Sequence, residues 1–151
     1  MLNRFEQFTS TISAIYQNVQ KIEREEMEKQ GLRGAYAQYF LALLQNAQGL
    51  TAAELAEICE RDKAAVSRAV TELEGKGYLL RRGSNTGTYR APLLLTEQGE
   101  KIAHFVARQA ALAVEQAGEG LSDADREVFY ACLGRISANL QTISKNGIRQ
   151  K

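Results

Sequence analysis

Apolar residues recur along most of this chain at intervals of three and four. That spacing predicts helices. Leu2, Phe5, Ile12, Ile15, Val19 and Ile22, widened by Phe8 and Tyr16, predict one long helix over residues 2–28. Its end, KIEREEMEK, is dense in charge and is expected to be exposed. Tyr36, Tyr39, Phe40, Leu43 and Leu44 make a broad apolar face for a helix over 35–47. A short helix opens at Thr51, where Thr51 and Glu54 stand at capping-box spacing, and Leu55 and Ile58 face inward. After a tight turn centred on Glu60, Asp62 is placed to cap a further helix running to Glu74. Two short helices so closely joined cross steeply, as in a helix-turn-helix.

Beyond Gly75 and Gly77 the period changes. Tyr78–Arg82 and Tyr89–Leu95 read as two strands around the polar loop Gly83–Thr88, with Pro92 at an edge or an unbonded position. This hairpin makes a wing. Thr96 then caps a helix over 97–117, with Ile102, Phe105, Val106, Leu112 and Ala113 on its apolar side. Ser122 caps a last helix, in which Val128, Phe129, Cys132, Leu133, Ile136, Leu140 and Ile143 form a stripe. The predicted fold is therefore mainly α with a small β-hairpin wing. It is a winged helix-turn-helix with N- and C-terminal dimerisation helices. Its divisions are 1–34, 35–96 and 97–151, the middle one being the DNA-binding lobe.

The helix from Asp62 carries the main functional signal. At 100° per residue, Val66, Ala69, Val70 and Leu73 share one face, and Ala64, Ser67, Arg68 and Thr71 share the other. The outer face is short, polar and basic. That suits close approach to a DNA groove better than it suits bulk solvent, where long mixed charges are usual. Lys63, in the first turn, is expected at phosphate. Ala64, Ala65, Ser67 and Arg68 are expected nearest the bases, with Arg68 the residue for guanine, and Thr71 along the groove wall. The competing reading of Arg68 is a surface ion pair with Glu72, four residues on.

Charge distribution adds to this. The 151 residues carry a net charge of only +1. Residues 61–90 nevertheless hold seven basic side chains (Arg61, Lys63, Arg68, Lys76, Arg81, Arg82 and Arg90) against Asp62, Glu72 and Glu74. A basic block in an otherwise mildly acidic chain is the footprint of a phosphate-binding surface. Arg81, Arg82 and Arg90 extend the expected DNA contacts into the wing.

Composition excludes several other classes. No apolar run is long enough to cross a membrane, and the N-terminus lacks a signal peptide's apolar centre, so a cytoplasmic location is expected. Cys59 and Cys132 belong to no paired motif and His104 is the only histidine, so no metal or other cofactor is expected, and both thiols are expected to be buried. There is no nucleophile–base set or phosphate-cradling glycine loop, so the chain is not expected to be an enzyme. Two alternatives stay open. One is a winged-helix protein-interaction module. The other is a redox-sensing regulator, in which Arg61 and Lys63 lower the pKa of the Cys59 thiol.

The ordered set Thr51-Ala52-Ala53-Glu54-Leu55-Ala56, Asp62 to Val70, Leu73-Glu74-Gly75-Lys76-Gly77-Tyr78-Leu79 and Leu95-Thr96-Glu97-Gln98-Gly99 resembles the MarR family of bacterial winged-helix regulators. The resemblance spans essentially the whole chain. It implies a homodimer whose terminal helices intertwine. Phe5, Phe8, Ile12, Phe129, Leu133, Ile136 and Leu140 would lie in that interface. It implies double-stranded DNA as partner, a pseudo-palindromic operator and a repressor's role. It also implies a small aromatic effector near the junction of dimer helices and DNA-binding lobe, where Tyr16, Tyr36, Tyr39, Phe40, His104 and Arg108 are the candidate lining. One departure stands out. The family's wing aspartate and arginine would fall at Gly87 and Tyr89, so the wing arginine's role passes to Arg90.

Overall fold

The computed structural model describes residues 2–83 and 90–149. The expected tip of the wing, including Gly87 and Tyr89, lies outside the described residues. The helices are α1 (Leu2–Lys29), α2 (Ala37–Gln45), α3 (Ala52–Ile58), α4 (Lys63–Gly75), α5 (Glu97–Ala117) and α6 (Asp123–Asn146). A 3-10 turn, Gly34–Tyr36, leads into α2, and the strands are β1 (Leu79–Arg81) and β2 (Leu93–Leu95). The chain forms two compact units, Met1–Val114 and Glu115–Lys151.

In the first unit, Met27, Phe40, Leu55, Val66, Val70, Leu73, Leu93 and Val106 are the largest fully buried side chains. They come from α1 to α5 and the sheet, so every element of this unit contributes to one core. The short helices are held by their ends. The Thr51 hydroxyl accepts from the Glu54 N–H at 3.2 Å, and the Glu54 carboxylate accepts from the Thr51 N–H at 2.8 Å. At the far end of α3, Glu60 takes φ 51°, and Arg61 N–H reaches back to Ala56 C=O at 2.9 Å. This is a left-handed helix stop built on a residue with a Cβ, a conformation that glycine usually occupies. It turns the chain sharply into α4, where the Asp62 carboxylate accepts from Ala65 N–H at 2.8 Å.

The end of α4 is a structural junction. Gly77, at φ 79°, lets Tyr78 N–H return to Leu73 C=O at 2.9 Å, and the chain leaves directly into β1. The Thr96 hydroxyl donates to Gly77 C=O at 2.7 Å and accepts from Gly99 N–H at 3.1 Å. One side chain thus caps α5 and ties it to the exit of α4. Gly99 packs directly under this tie: a Cβ there would stand 2.2 Å from the Tyr78 carbonyl oxygen.

The sheet is antiparallel, pairing Leu79 with Leu95, Leu80 with Leu94 and Arg81 with Leu93. Both strands are shorter than their sequence pattern predicts. Arg82 N–H still donates to Pro92 C=O at 2.9 Å, but proline has no N–H to return, so the ladder ends there. On the other side of β2, Leu50 and Leu93 exchange two backbone hydrogen bonds, at 3.1 and 2.7 Å. This third partner, one residue long, has no period that a sequence could reveal.

Ile58, expected to face inward from α3, is instead 53% exposed. Two further expectations are corrected. The charged end of α1 is not simply exposed: Met27 is fully buried in the core, and the Glu23 carboxylate, raised in pKa by burial, accepts from Gln38 at 2.7 Å. The apolar beginning of the helix is the exposed part, with Phe5 64% exposed and Phe8, Ile12, Ile15 and Tyr16 also open. Second, Cys132 is not buried. It lies on α6, which has no buried residue. In that second unit Ser122 and Asp125 form a reciprocal cap, and the Arg126 guanidinium closes the preceding turn onto Gly118 C=O at 2.8 Å and Glu115 at 2.9 Å.

The junction predicts a stability effect. Gly99→Ala improves helix propensity but pushes a methyl into backbone, which cannot rotate away. A net loss of about 1–3 kcal/mol is expected in urea unfolding. A midpoint at or above that of the wild type would show that the contact relaxes freely.

Candidate nucleic-acid interface

The core grips α4 by the face that its period marks: Val66, Ala69, Val70 and Leu73 are all buried. Lys63, Ala64, Ser67, Arg68 and Thr71 are exposed on its other side, and Ala65 is half-buried. The Thr71 hydroxyl donates to Ser67 C=O at 3.0 Å, so its proton is used within the helix. Ser67 keeps a free hydroxyl proton on this face, since no hydrogen bond from it occurs among the described residues.

The pairing of Arg68 with Glu72 does not form. The Glu72 carboxylate instead accepts from the Tyr36 hydroxyl and pairs with Lys76 at 2.8 Å. The hydrogen bonds from Lys76 and then Tyr36 hold its pKa below the ordinary carboxylate value. Arg68 has no ion pair or hydrogen bond among the described residues, nor does Lys63. The Glu72 carboxylate is thus occupied, and the outer face of α4 presents cations and small groups.

The wing arginines separate into different roles. Arg81, expected at phosphate, is engaged within the fold. Its Nε donates to Glu74 at 2.9 Å and its side chain is only 17% exposed, so it fastens β1 to the end of α4. Arg82 and Arg90 are exposed and accessible to a partner.

Two of the clefts on this unit hold residues suggested for an effector pocket. One, of about 950 Å³, is lined by Gln30, Ile102 and Phe105, with His104 and Arg108 beside them. The other, of about 410 Å³, lies between the 3-10 turn and α4, and includes Arg33, Tyr36, Tyr39, Arg61 and Arg68. The six residues suggested for an effector pocket are therefore not gathered in either cleft. Phe40 is fully buried, edge-on to Tyr78. Tyr16 is exposed on α1, its hydroxyl accepting from Gln20 at 2.7 Å. Sequence reasoning missed Arg33, which lies outside the basic block and reaches α4 only through the fold.

The Cys59 environment is also corrected. The thiol is half-buried, and burial raises its pKa; Arg61 opposes this but is the smaller effect. A raised pKa means less reactive thiolate near neutrality. Among the described residues no three His, Cys, Asp or Glu side chains are grouped to hold a metal ion. No helix among them is long and apolar enough to cross a membrane.

Comparison with known proteins gives a consistent answer. The MarR family model matches residues 30–87, which run from the end of α1 through the helix-turn-helix into the wing. The HTH-type transcriptional regulator YybA of Bacillus subtilis (strain 168) is 27% identical over 109 residues, covering 72% of this chain and 71% of that protein. Among solved structures, a MarR transcriptional regulator from Methanosarcina mazei Go1 superposes with a TM-score of 0.74 at 22% identity, over 91% of this chain and 92% of that one. A MarR-family regulator from Listeria monocytogenes, solved as a complex with a 26mer DNA, gives 0.69 at 20% identity, over 95% and 97%. A capped helix-turn-helix with an exposed basic face and a short wing tied back by Thr96 and Gly99 agree with these likenesses: residues 30–87 match the MarR family model, and the fold is similar to that of solved MarR-family regulators.

Proposed function

We propose that this protein is a homodimeric, cytoplasmic repressor of transcription that binds a pseudo-palindromic duplex through α4 of each copy. The observation that carries the reading is the state of Arg68. It is exposed on the outer face of α4, and the carboxylate that would neutralise it is held by Tyr36 and Lys76. A guanidinium left free among small side chains is suited to the O6 and N7 acceptors of guanine, while Lys63, Arg82 and Arg90 supply sequence-independent phosphate contacts. Ala64, Ala65, Ser67 and Thr71 add close approach more than donors, so DNA shape carries part of the selectivity. The relative from Listeria monocytogenes that was solved with DNA supports a duplex as the partner.

Dimerisation is supported by apolar surface that a single chain leaves open. Phe5, Phe8 and Ile12 on α1, and Phe129, Ile136 and Leu140 on α6, are exposed, with Leu133 half-buried among the latter. Large apolar side chains left open on both of these helices are the mark of an interface. A two-fold dimer would set its recognition helices about 34 Å apart, in successive major grooves. Release by a small aromatic ligand belongs to the same proposal. Phe105 and Ile102, beside His104 and Arg108, offer an apolar wall with polar groups at one cleft. Such a ligand releases DNA only by favouring a spacing of the helices that does not fit the grooves.

The two other readings draw less support. An interaction module would display apolar anchors on the outer face of α4, whereas the exposed positions are Lys63, Ala64, Ser67, Arg68 and Thr71. A thiol switch at Cys59 would need a lowered pKa, and burial raises it.

Arg68→Ala should weaken binding to a site selected from random duplex DNA by about 1–3 kcal/mol and relax selectivity at one base position of each half-site. Unchanged affinity and selectivity would remove Arg68 from base readout. Phe129→Asp or Leu140→Asp should leave helicity intact and convert the dimer to monomer in sedimentation equilibrium. A dimer retained in both would move the interface off α6. Treatment with peroxide at neutral pH should leave the binding curve of the wild type in place. A loss restored by reductant and absent from Cys59→Ser would revive the redox reading.

A further inference from the structure

The smaller cleft contains a donor that the fold does not use. Tyr39, on α2, is only 4% exposed, yet its hydroxyl has no hydrogen bond among the described residues. No buried polar side-chain atom there is sealed off without a partner, so this hydroxyl opens to the cleft that Tyr39 lines. A buried phenol normally satisfies its O–H within the protein. Burial also raises its pKa, which keeps the proton on the oxygen.

The surroundings of this donor are cationic. Arg61, in the turn between α3 and α4, lines the same cleft and acts electrostatically on Tyr39. Arg33 and Arg68 line it from the 3-10 turn side and from α4. None of these three guanidiniums has an ion pair or hydrogen bond among the described residues. Two carboxylates also face the cleft, and both are occupied. Asp62 caps α4 through Ala65 N–H, and Glu72 is held by Tyr36 and Lys76. A neutral donor and three free guanidiniums converging on one opening, with the local carboxylates engaged, make an oxyanion site.

We infer that this cleft seats a backbone phosphate of duplex DNA, with the Tyr39 hydroxyl and Arg61 as its donors and Arg33 at its rim. The assignment rests on the DNA-binding reading above and adds to it a contact outside α4 and the wing. The cleft borders α4, so a strand along the groove wall would reach it while α4 occupies the groove. A phosphate held between two helices and a turn fixes how deeply and at what angle α4 enters, which is how phosphate contacts set register.

The test uses the full-length chain and a duplex of mixed, arbitrary sequence, because a phosphate contact does not depend on bases. Binding is followed by fluorescence anisotropy over a series of KCl concentrations. Arg61→Ala should bind about tenfold more weakly at low salt. Its plot of log affinity against log salt should be shallower by about one for each bound copy. Tyr39→Phe removes a donor but no cation, so it should lose about three- to tenfold at every salt with the slope unchanged. A merely structural role for the hydroxyl would not give that pair of readouts. Arg61 is exposed and its replacement leaves the core intact, so it decides the question should Tyr39→Phe lower the melting temperature. If the wild type binds the duplex and both variants match it in affinity and slope, the phosphate seat is overturned and the DNA-binding reading survives. If the wild type binds no duplex at any salt, the DNA-binding reading itself fails. A third arm addresses the source of the anion. If inorganic phosphate raises the melting temperature of the wild type but not of Tyr39→Phe, while the DNA curves of all three proteins coincide, the cleft serves a free anion and the inference is overturned.

Discussion

The packing of Gly99 against the carbonyl of Tyr78 is the constraint on which the rest of the helix-turn-helix lobe depends. Three elements meet there: the end of α4, the start of β1 and the first turn of α5. Thr96 joins them by donating to Gly77 C=O and capping α5 at Gly99 N–H. Interiors do not yield by fractions of an ångström at low cost, so a contact this close fixes the exit angle of α4 and the origin of the wing together. The Arg81–Glu74 pair adds a second tie between the end of β1 and the last turn of α4. From its inner face, α4 is held by Val66, Val70 and Leu73, all packed into the common core. Because this side is rigid, the opposite side can carry small residues and an unpaired cation without losing its position.

Electrostatics follow from that geometry. Surface carboxylates near a basic helix would ordinarily pair with it at spacings of three and four. In this lobe four of them are committed elsewhere: Asp62 to the cap of α4, Glu72 to Tyr36 and Lys76, Glu74 to Arg81, Glu54 to Thr51. None of these pairs is worth much as stability, since exposed ion pairs contribute roughly 0–1 kcal/mol. Their consequence is that Lys63, Arg68, Arg61 and Arg33 keep their charge for a partner. A chain of net charge +1 thereby presents a local positive field without an overall basic composition.

The outer helices behave in the opposite way. The first turns of α1 and all of α6 carry apolar side chains that the single chain leaves in water, whereas the charged end of α1 supplies Met27 to the core. Charge density therefore misled about which end of α1 packs. A helix surface can bury one methionine between glutamates if the docking element meets that single stripe, and the surrounding charges stay at the rim.

The sequence by itself determined the elements and their order. Helical period, the Thr51–Glu54 and Ser122–Asp125 caps, the N-cap at Asp62 and the glycine stop at Gly77 are local codes, written within four or five residues of where they act. The buried and exposed faces of α4 were equally readable, because a helix of known period has only one apolar side. What the tertiary structure alone decided lies between segments distant in the chain. Leu50 joins β2 with no pattern of its own, and Arg81 pairs with Glu74. Tyr36 removes Glu72 from Arg68 across thirty-six positions, and Arg33 is brought to the same cleft as Arg61. Cys59 meets burial more than positive charge, so its thiol moves the other way from the expectation. In each case the side chain had several partners compatible with its chemistry. Only packing, which fixes distance and access to water, could choose among them.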